Sequence, residues 1–231
     1  MSNQASDHQP ESAFSLFNKS ADLVKANLNT FAILYALPFV LGLLSLSNNQ
    51  EDRQNGVMWT NGTFKVGPLL GAAISLSILF AILYVIVAIM MIVLEFKVAH
   101  GKTPTLGEVW QDTKKYAWRL LGLGIVVGVL SVVGLVLLIV PGVIVISRYF
   151  LSPFAMIDKD LSIGEAMKDS ERISRGRWGS IWGVIGVTIL ISIIGSFGII
   201  GWGISFVLAA LYSVAAPLRY FELKKLAKAA K

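Results

Sequence analysis

Arg148 is the first residue whose chemistry stands out. It lies roughly six residues into an apolar run that begins after Pro141-Gly142. A charged side chain near the middle of a bilayer costs about 2.5–3.5 kcal/mol. A carboxylate, free carbonyls, water or a lipid phosphate must offset that cost. Arg148 therefore reads in two ways. It is either an anion or lipid-phosphate contact, or a structural cation that snorkels or bonds carbonyls freed near Pro141. A second group, Glu165, Lys168, Asp169, Arg172 and Arg175, mixes acids and bases within a few residues. An acid–base pair is conceivable there, but Glu165 already has a capping task. The group reads better as the wet face of a helix touching anionic lipid head groups. Arg148, Lys168, Arg172 and Arg175 are thus the candidate lipid- or anion-binding residues.

Other chemistry is scarce. There are no cysteines, which removes disulfides, thiolate metal sites and cysteine nucleophiles together. His8 and His100 stand in different segments without a metal-like neighbour. No G-x-S-x-G, H-E-x-x-H or Walker loop occurs. The expectation is a chain that is not an enzyme, with no catalytic, cofactor-binding or metal residues.

The elements that position these residues are mostly apolar. The chain has 231 residues, 55% of them hydrophobic and 15% charged, with a mean hydropathy of +0.69. Soluble domains carry about a quarter charged residues. Crossing the hydrocarbon takes about 20 helical residues, and the apolar runs are continuous rather than alternating, which excludes a barrel. The sequence predicts an all-α integral membrane helical bundle forming a single domain, with about six transmembrane helices and short amphipathic helices between pairs. Residues 1–10 read as a disordered tail without a cleaved signal, 11–28 as a surface helix, 29–218 as six spans and 219–231 as a basic tail.

Within 29–218 the spans read as 29–46, 67–94, 120–140 and 143–157, followed by two more dividing a long run near Gly198–Gly203. Pro141-Gly142 reads as the turn between the third and fourth. Thr105 with Glu108, and Ser162 with Glu165, read as capping boxes that open surface helices. Gly176 reads as the stop of the second. Trp110, Trp118, Trp178 and Trp182 suit an aromatic belt, and the glycines between Gly183 and Gly203 suit close helix packing. Lys and Arg concentrate in 97–119, 159–177 and 219–231, whereas Arg53 and Lys65 are alone in the loop after the first span. The positive-inside bias then places both termini in the cytoplasm of a multi-pass inner (plasma) membrane protein. It also accounts for the net charge of +6 without nucleic acid.

The surface helices look repeated. Leu106-Gly107-Glu108 through Thr113 lies over Ile163-Gly164-Glu165 through Ser170, with Gly, Glu and Asp coinciding. Ser12 and Ser20 keep the same separation as Thr105/Thr113 and Ser162/Ser170, so the chain reads as three units, each a surface helix followed by two spans. Arg148-Tyr149-Phe150 recurs as Arg219-Tyr220-Phe221. Around these residues, Pro141-Gly142-Val143, Arg148-Tyr149, Pro153, Asp158, Ser162-x-x-Glu165-Ala166-Met167-Lys168-x-Ser170 and Gly176-Arg177-Trp178 resemble a bacterial and archaeal membrane-domain family. It includes the membrane domain attached to some glycerophosphodiester phosphodiesterases and related stand-alone membrane proteins. The resemblance is sharpest over 139–179. It implies a membrane bundle but no phosphodiesterase activity, since the chain has neither the soluble barrel nor its acidic metal ligands. The expected partners are the lipid bilayer, anionic phospholipid head groups and another membrane protein. The expected role is that of a scaffold, assembly or regulatory partner; a transporter or lipid-handling protein using Arg148 is the alternative.

Overall fold

The computed structural model describes residues 10–47, 57–60, 63–66 and 68–229. The tail expectation for 1–9 lies outside them. The described chain is helical apart from one short hairpin: α1 (Ser15–Ala26), α2 (Leu28–Ser47), β1 (Val57–Thr60), β2 (Thr63–Val66), α3 (Pro68–Ala99), α4 (Leu106–Leu137), α5 (Ile139–Tyr149), α6 (Ser152–Lys159), α7 (Ile163–Ser174), α8 (Trp178–Ile194), α9 (Gly198–Tyr212) and α10 (Ala215–Ala229). The antiparallel pair β1–β2, in register from Val57↔Val66 to Thr60↔Thr63, sits in the polar loop after α2. Four helical segments are long and apolar enough to cross a membrane. The number rises to six if each of two bent pairs, α1 with α2 and α7 with α8, counts as one span.

The bends follow local chemistry. α1 meets α2 at 99° and α7 meets α8 at 105°. The first bend is at Asn27, whose side-chain amide donates to the Leu23 carbonyl and terminates α1. The second is at Gly176, whose φ of +75° is left-handed and suits glycine. Between Ala117 and Leu121 the chain offers neither Gly, Asn nor Pro. The helix opened by Thr105 therefore runs on to Leu137 without a break, and the expected separate surface helix of this unit is instead the N-terminal part of α4, up to Arg119.

Three further boundaries differ from the sequence reading. The turn between the third and fourth spans is at Leu138, which is extended (φ −163°, ψ 142°), and not at Pro141-Gly142. Pro141 lies in the first turn of α5, where its missing N–H costs nothing. Gly142 is needed because the two helices touch there: a Cβ on Gly134 would lie 2.8 Å from the Gly142 Cα. The fourth span breaks into α5 and α6 at Phe150–Leu151, with Pro153 in the first turn of α6. The division between the last two spans falls at 195–197, ahead of Gly198. The expected basic tail is the helix α10, with Arg219, Tyr220 and Leu223 buried.

Packing has a cyclic order. α4 lies on α3, α7 lies on α5 and α6, and α1 closes the ring on α9 and α10. Each leading amphipathic helix thus covers the second span of the preceding unit. Val24, Phe31, Leu94, Val109, Leu123, Met156, Ala166 and Val214 belong to the central cluster, which joins all three units.

Candidate functional site at the basic end

The cations anticipated from the sequence gather at one end of the bundle and fall into two groups. Arg148, in the last turn of α5, has its Nη1 3.4 Å from the Glu171 carboxylate of α7, and its side chain is 44% exposed. Arg175 reaches the same carboxylate at 3.8 Å. The carboxylate needed to offset Arg148 therefore comes from the amphipathic helix, not from a span. Lys168 and Arg172 lie apart from this pair. With Lys159, Glu165 and Asp169 they line an open cleft of about 310 Å³. Asp169 is held by Lys159 at 2.6 Å and by Arg172 at 2.5 Å. Its partial burial raises the carboxyl pKa, but those two cations outweigh burial and hold it below the usual carboxylate range.

The caps position this face. Thr105 Oγ1 accepts from the Glu108 N–H at 3.4 Å and Glu108 accepts from the Thr105 N–H at 3.3 Å. At the second box, Glu165 accepts from both the Ser162 N–H (3.0 Å) and the Ser162 hydroxyl (2.7 Å). These bonds hold the Glu165 carboxyl low, the hydroxyl contributing most. Asp160, the left-handed stop of α6, receives Lys115 at 3.0 Å and Arg119 at 2.8 Å. Its carboxyl is held low by Lys115 first and Arg119 second.

The eight-residue spacing has a structural meaning. Ser20 donates to the Leu211 carbonyl at 2.6 Å and accepts from the Val214 N–H at 3.1 Å, filling the gap between α9 and α10. Ser170 donates to the Arg148 carbonyl at 2.6 Å, at the gap between α5 and α6. Helix ends leave carbonyls and amides without intrahelical partners, and these two hydroxyls supply them. Thr113 is buried on α4, which packs on the unbroken α3, and bonds its own Val109 carbonyl at 2.7 Å. The recurring Arg-Tyr-Phe triplets do not superpose in role: Arg148 ends a helix before a gap and is exposed, whereas Arg219 follows a gap and is 0% exposed.

The sequence reading missed Arg219 and the acid beneath it. Arg219 donates to Glu222 at 2.5 Å and to the Glu11 carbonyl at 2.7 Å. Asp158 accepts from the Tyr220 hydroxyl at 2.7 Å and pairs with Lys224. The i,i+3 spacing of Arg219 and Glu222 was the one available signal. Deeper in the bundle, Tyr35 donates to Glu95 at 3.3 Å. A cleft of about 200 Å³ near Tyr35, Tyr84 and Phe206 has no charged residue in its lining. Among the described residues no three His, Asp or Glu side chains come together to hold a metal. Comparisons with family models, curated proteins and solved structures find no match to this chain. The geometry alone therefore carries the reading: an all-α bundle of apolar helices capped at one end by paired charges.

Proposed function

We propose that this chain is a non-enzymatic polytopic membrane protein that serves as a scaffold, an assembly or regulatory partner for another membrane protein. The observation that carries the proposal is the pair of amphipathic helices, each turned about a right angle from its span (99° and 105°). They lie along the leaflet with Lys19, Lys25, Lys168 and Arg172 on the outside, a surface suited to anionic head groups. Their apolar faces are already occupied by the neighbouring unit. The positive-inside bias assigns this end to the cytoplasm and both termini with it.

A transporter or lipid-handling protein using Arg148 is the second reading, and the break between α5 and α6 is the feature that favours it. Against it stand the pairing of Arg148 with Glu171 and the absence of a charged residue from the lining of the cleft near Tyr35. Recovery of the full chain in mild detergent, with identification of bound proteins and lipids, tests the proposal. A stoichiometric membrane-protein partner and retained anionic lipid are expected. Solute or lipid movement by the purified chain in liposomes, abolished by Arg148→Leu with the fold intact, would replace scaffold by transporter. Because no native cysteine interferes, Lys168→Cys tests sidedness: an impermeant thiol reagent should reach it only from the cytoplasmic side.

A further inference from the structure

Between α2, α3 and α9 lies the cleft of about 200 Å³ lined by Tyr35, Pro38, Tyr84, Met91 and Phe206. The rings of Tyr35 and Phe206 meet edge to face at 5.8 Å. Tyr84 and the neighbouring Ala209 are exposed, so the cleft faces the bilayer. No charged residue lines it, but one stands at its end. Tyr84, Ala88, Met91 and Glu95 recur at helical spacing along one stripe of α3, and Glu95 is the member nearest the basic end of the bundle. Lys97, just beyond it, pairs with Asp112, which puts Glu95 at the boundary between hydrocarbon and head groups.

Glu95 differs from the other acids near the spans. Asp112, Asp158, Asp169 and Glu171 each have a basic partner. Glu95 has none among the described residues. Its Oε1 accepts from the Tyr35 hydroxyl at 3.3 Å, and a neutral phenol cannot balance a carboxylate. Oε2 has no hydrogen-bond partner among the described residues, and the side chain is only half-buried, so a ligand can reach it. A carboxylate drawn out of water without a cation is costly. Two further features suit a cation. Pro38 has no N–H for the Leu34 carbonyl, which leaves a free acceptor on the Pro38 wall. Aromatic rings such as those of Tyr35, Tyr84 and Phe206 attract ammonium groups.

We infer that this cleft holds one membrane phospholipid with a primary ammonium head group, phosphatidylethanolamine, its ammonium on Glu95 and an acyl chain along the stripe from Met91 back to Tyr84. From Tyr84 to Glu95 α3 rises about 16 Å, enough to carry most of an acyl chain. A primary ammonium can donate to both Glu95 and the Leu34 carbonyl. The quaternary ammonium of phosphatidylcholine has no N–H to donate, and phosphatidylglycerol brings only negative charge towards Glu95. The site is separate from the basic helix faces that suit anionic head groups, and the inference does not depend on the scaffold reading.

The test uses the full chain, delipidated in detergent, and follows lipid binding by native mass spectrometry and thermal shift. The probes are phosphatidylethanolamine, phosphatidylcholine and phosphatidylglycerol with the same acyl chains in mixed micelles. Phosphatidylethanolamine should bind tightest, about fivefold ahead of phosphatidylcholine, the difference made by one hydrogen bond. Glu95→Gln keeps an acceptor for Tyr35 and removes the charge. It should raise the dissociation constant for phosphatidylethanolamine about tenfold and erase its lead over phosphatidylglycerol. Ala209→Phe fills the cleft from an exposed position and should weaken phosphatidylethanolamine by a similar factor. Asp22→Asn removes an exposed carboxylate on α1 and should change binding less than about twofold. Phosphatidylcholine or phosphatidylglycerol bound as tightly as phosphatidylethanolamine overturns the inference. So does wild-type binding and selectivity in either folded variant, Glu95→Gln or Ala209→Phe, or an equal loss in Asp22→Asn.

Discussion

α1 and α7 are built to one plan and anchored by different chemistry. Both leave their spans at nearly right angles, and both use a buried serine to close a gap in another unit's second span. α1 is fixed by uncharged contacts. Ser20 makes two bonds across the α9–α10 gap, the Tyr212 hydroxyl donates to the Ala13 carbonyl at 3.1 Å, and Phe17 stacks on Tyr212. α7 is fixed by one serine bond and a set of ion pairs, Arg148–Glu171 and Lys159–Asp169. The difference shows that the hydroxyl eight residues after the cap takes its task from the span it faces. Two bonds across a gap, one bond at a gap or no gap at all decide how much it contributes.

Removing these hydroxyls ranks the three units. Ser20→Val strands a buried carbonyl and a buried amide and should destabilise the fold by about 2–4 kcal/mol, read as denaturant or thermal unfolding in micelles. Ser170→Val strands only the Arg148 carbonyl and should cost about 1–2 kcal/mol by the same measurement. An equal loss in both would erase the distinction between the two gaps. Acid should separate the helices further. Asp169 is held low by Lys159 and Arg172, so its pairing stabilises the fold above the ordinary carboxylate pKa of about 4 and is lost as pH falls through its lowered value. Amide exchange in residues 163–174 should then accelerate before that in residues 15–26. Glu171→Gln at neutral pH weakens only partly exposed pairs and should cost at most about 1 kcal/mol. Thr113→Val, whose hydroxyl serves its own helix, should change stability by less than about 0.5 kcal/mol; a loss matching Ser170→Val would show that α3 needs this hydroxyl after all.

The membrane-helical class was legible because long uncharged runs have few other stable solutions. The caps at Thr105 and Ser162 were legible because an N-terminal box is local chemistry. The bend at Gly176 was legible for the same reason. Pro141-Gly142 misled because proline is as welcome in a first turn as in a loop, and only the approach of Gly134 to Gly142 decides between them. The unbroken run from Leu106 to Leu137 was hidden because a wet stretch followed by an apolar one gives no hint of angle. Arg219 was hidden because basic residues near a terminus look like solvated tail; its burial depends on the segment preceding α1 folding back from 208 positions away.

The far end of the bundle has a consequence for how the chain enters a bilayer. From Val132 to Ile146 no polar side chain interrupts the α4–α5 hairpin, and Val136, at its tip, is 80% exposed. The α8–α9 connection offers only Gly195, Ser196 and Phe197. Neither hairpin asks an insertion machinery to drag a charge through hydrocarbon. The loop between α2 and α3, with Glu51, Asp52, Arg53 and Lys65, does. In the orientation proposed above, with both termini cytoplasmic, the translocation work during synthesis falls on the first hairpin, and the two later ones slip in as closed greasy pins.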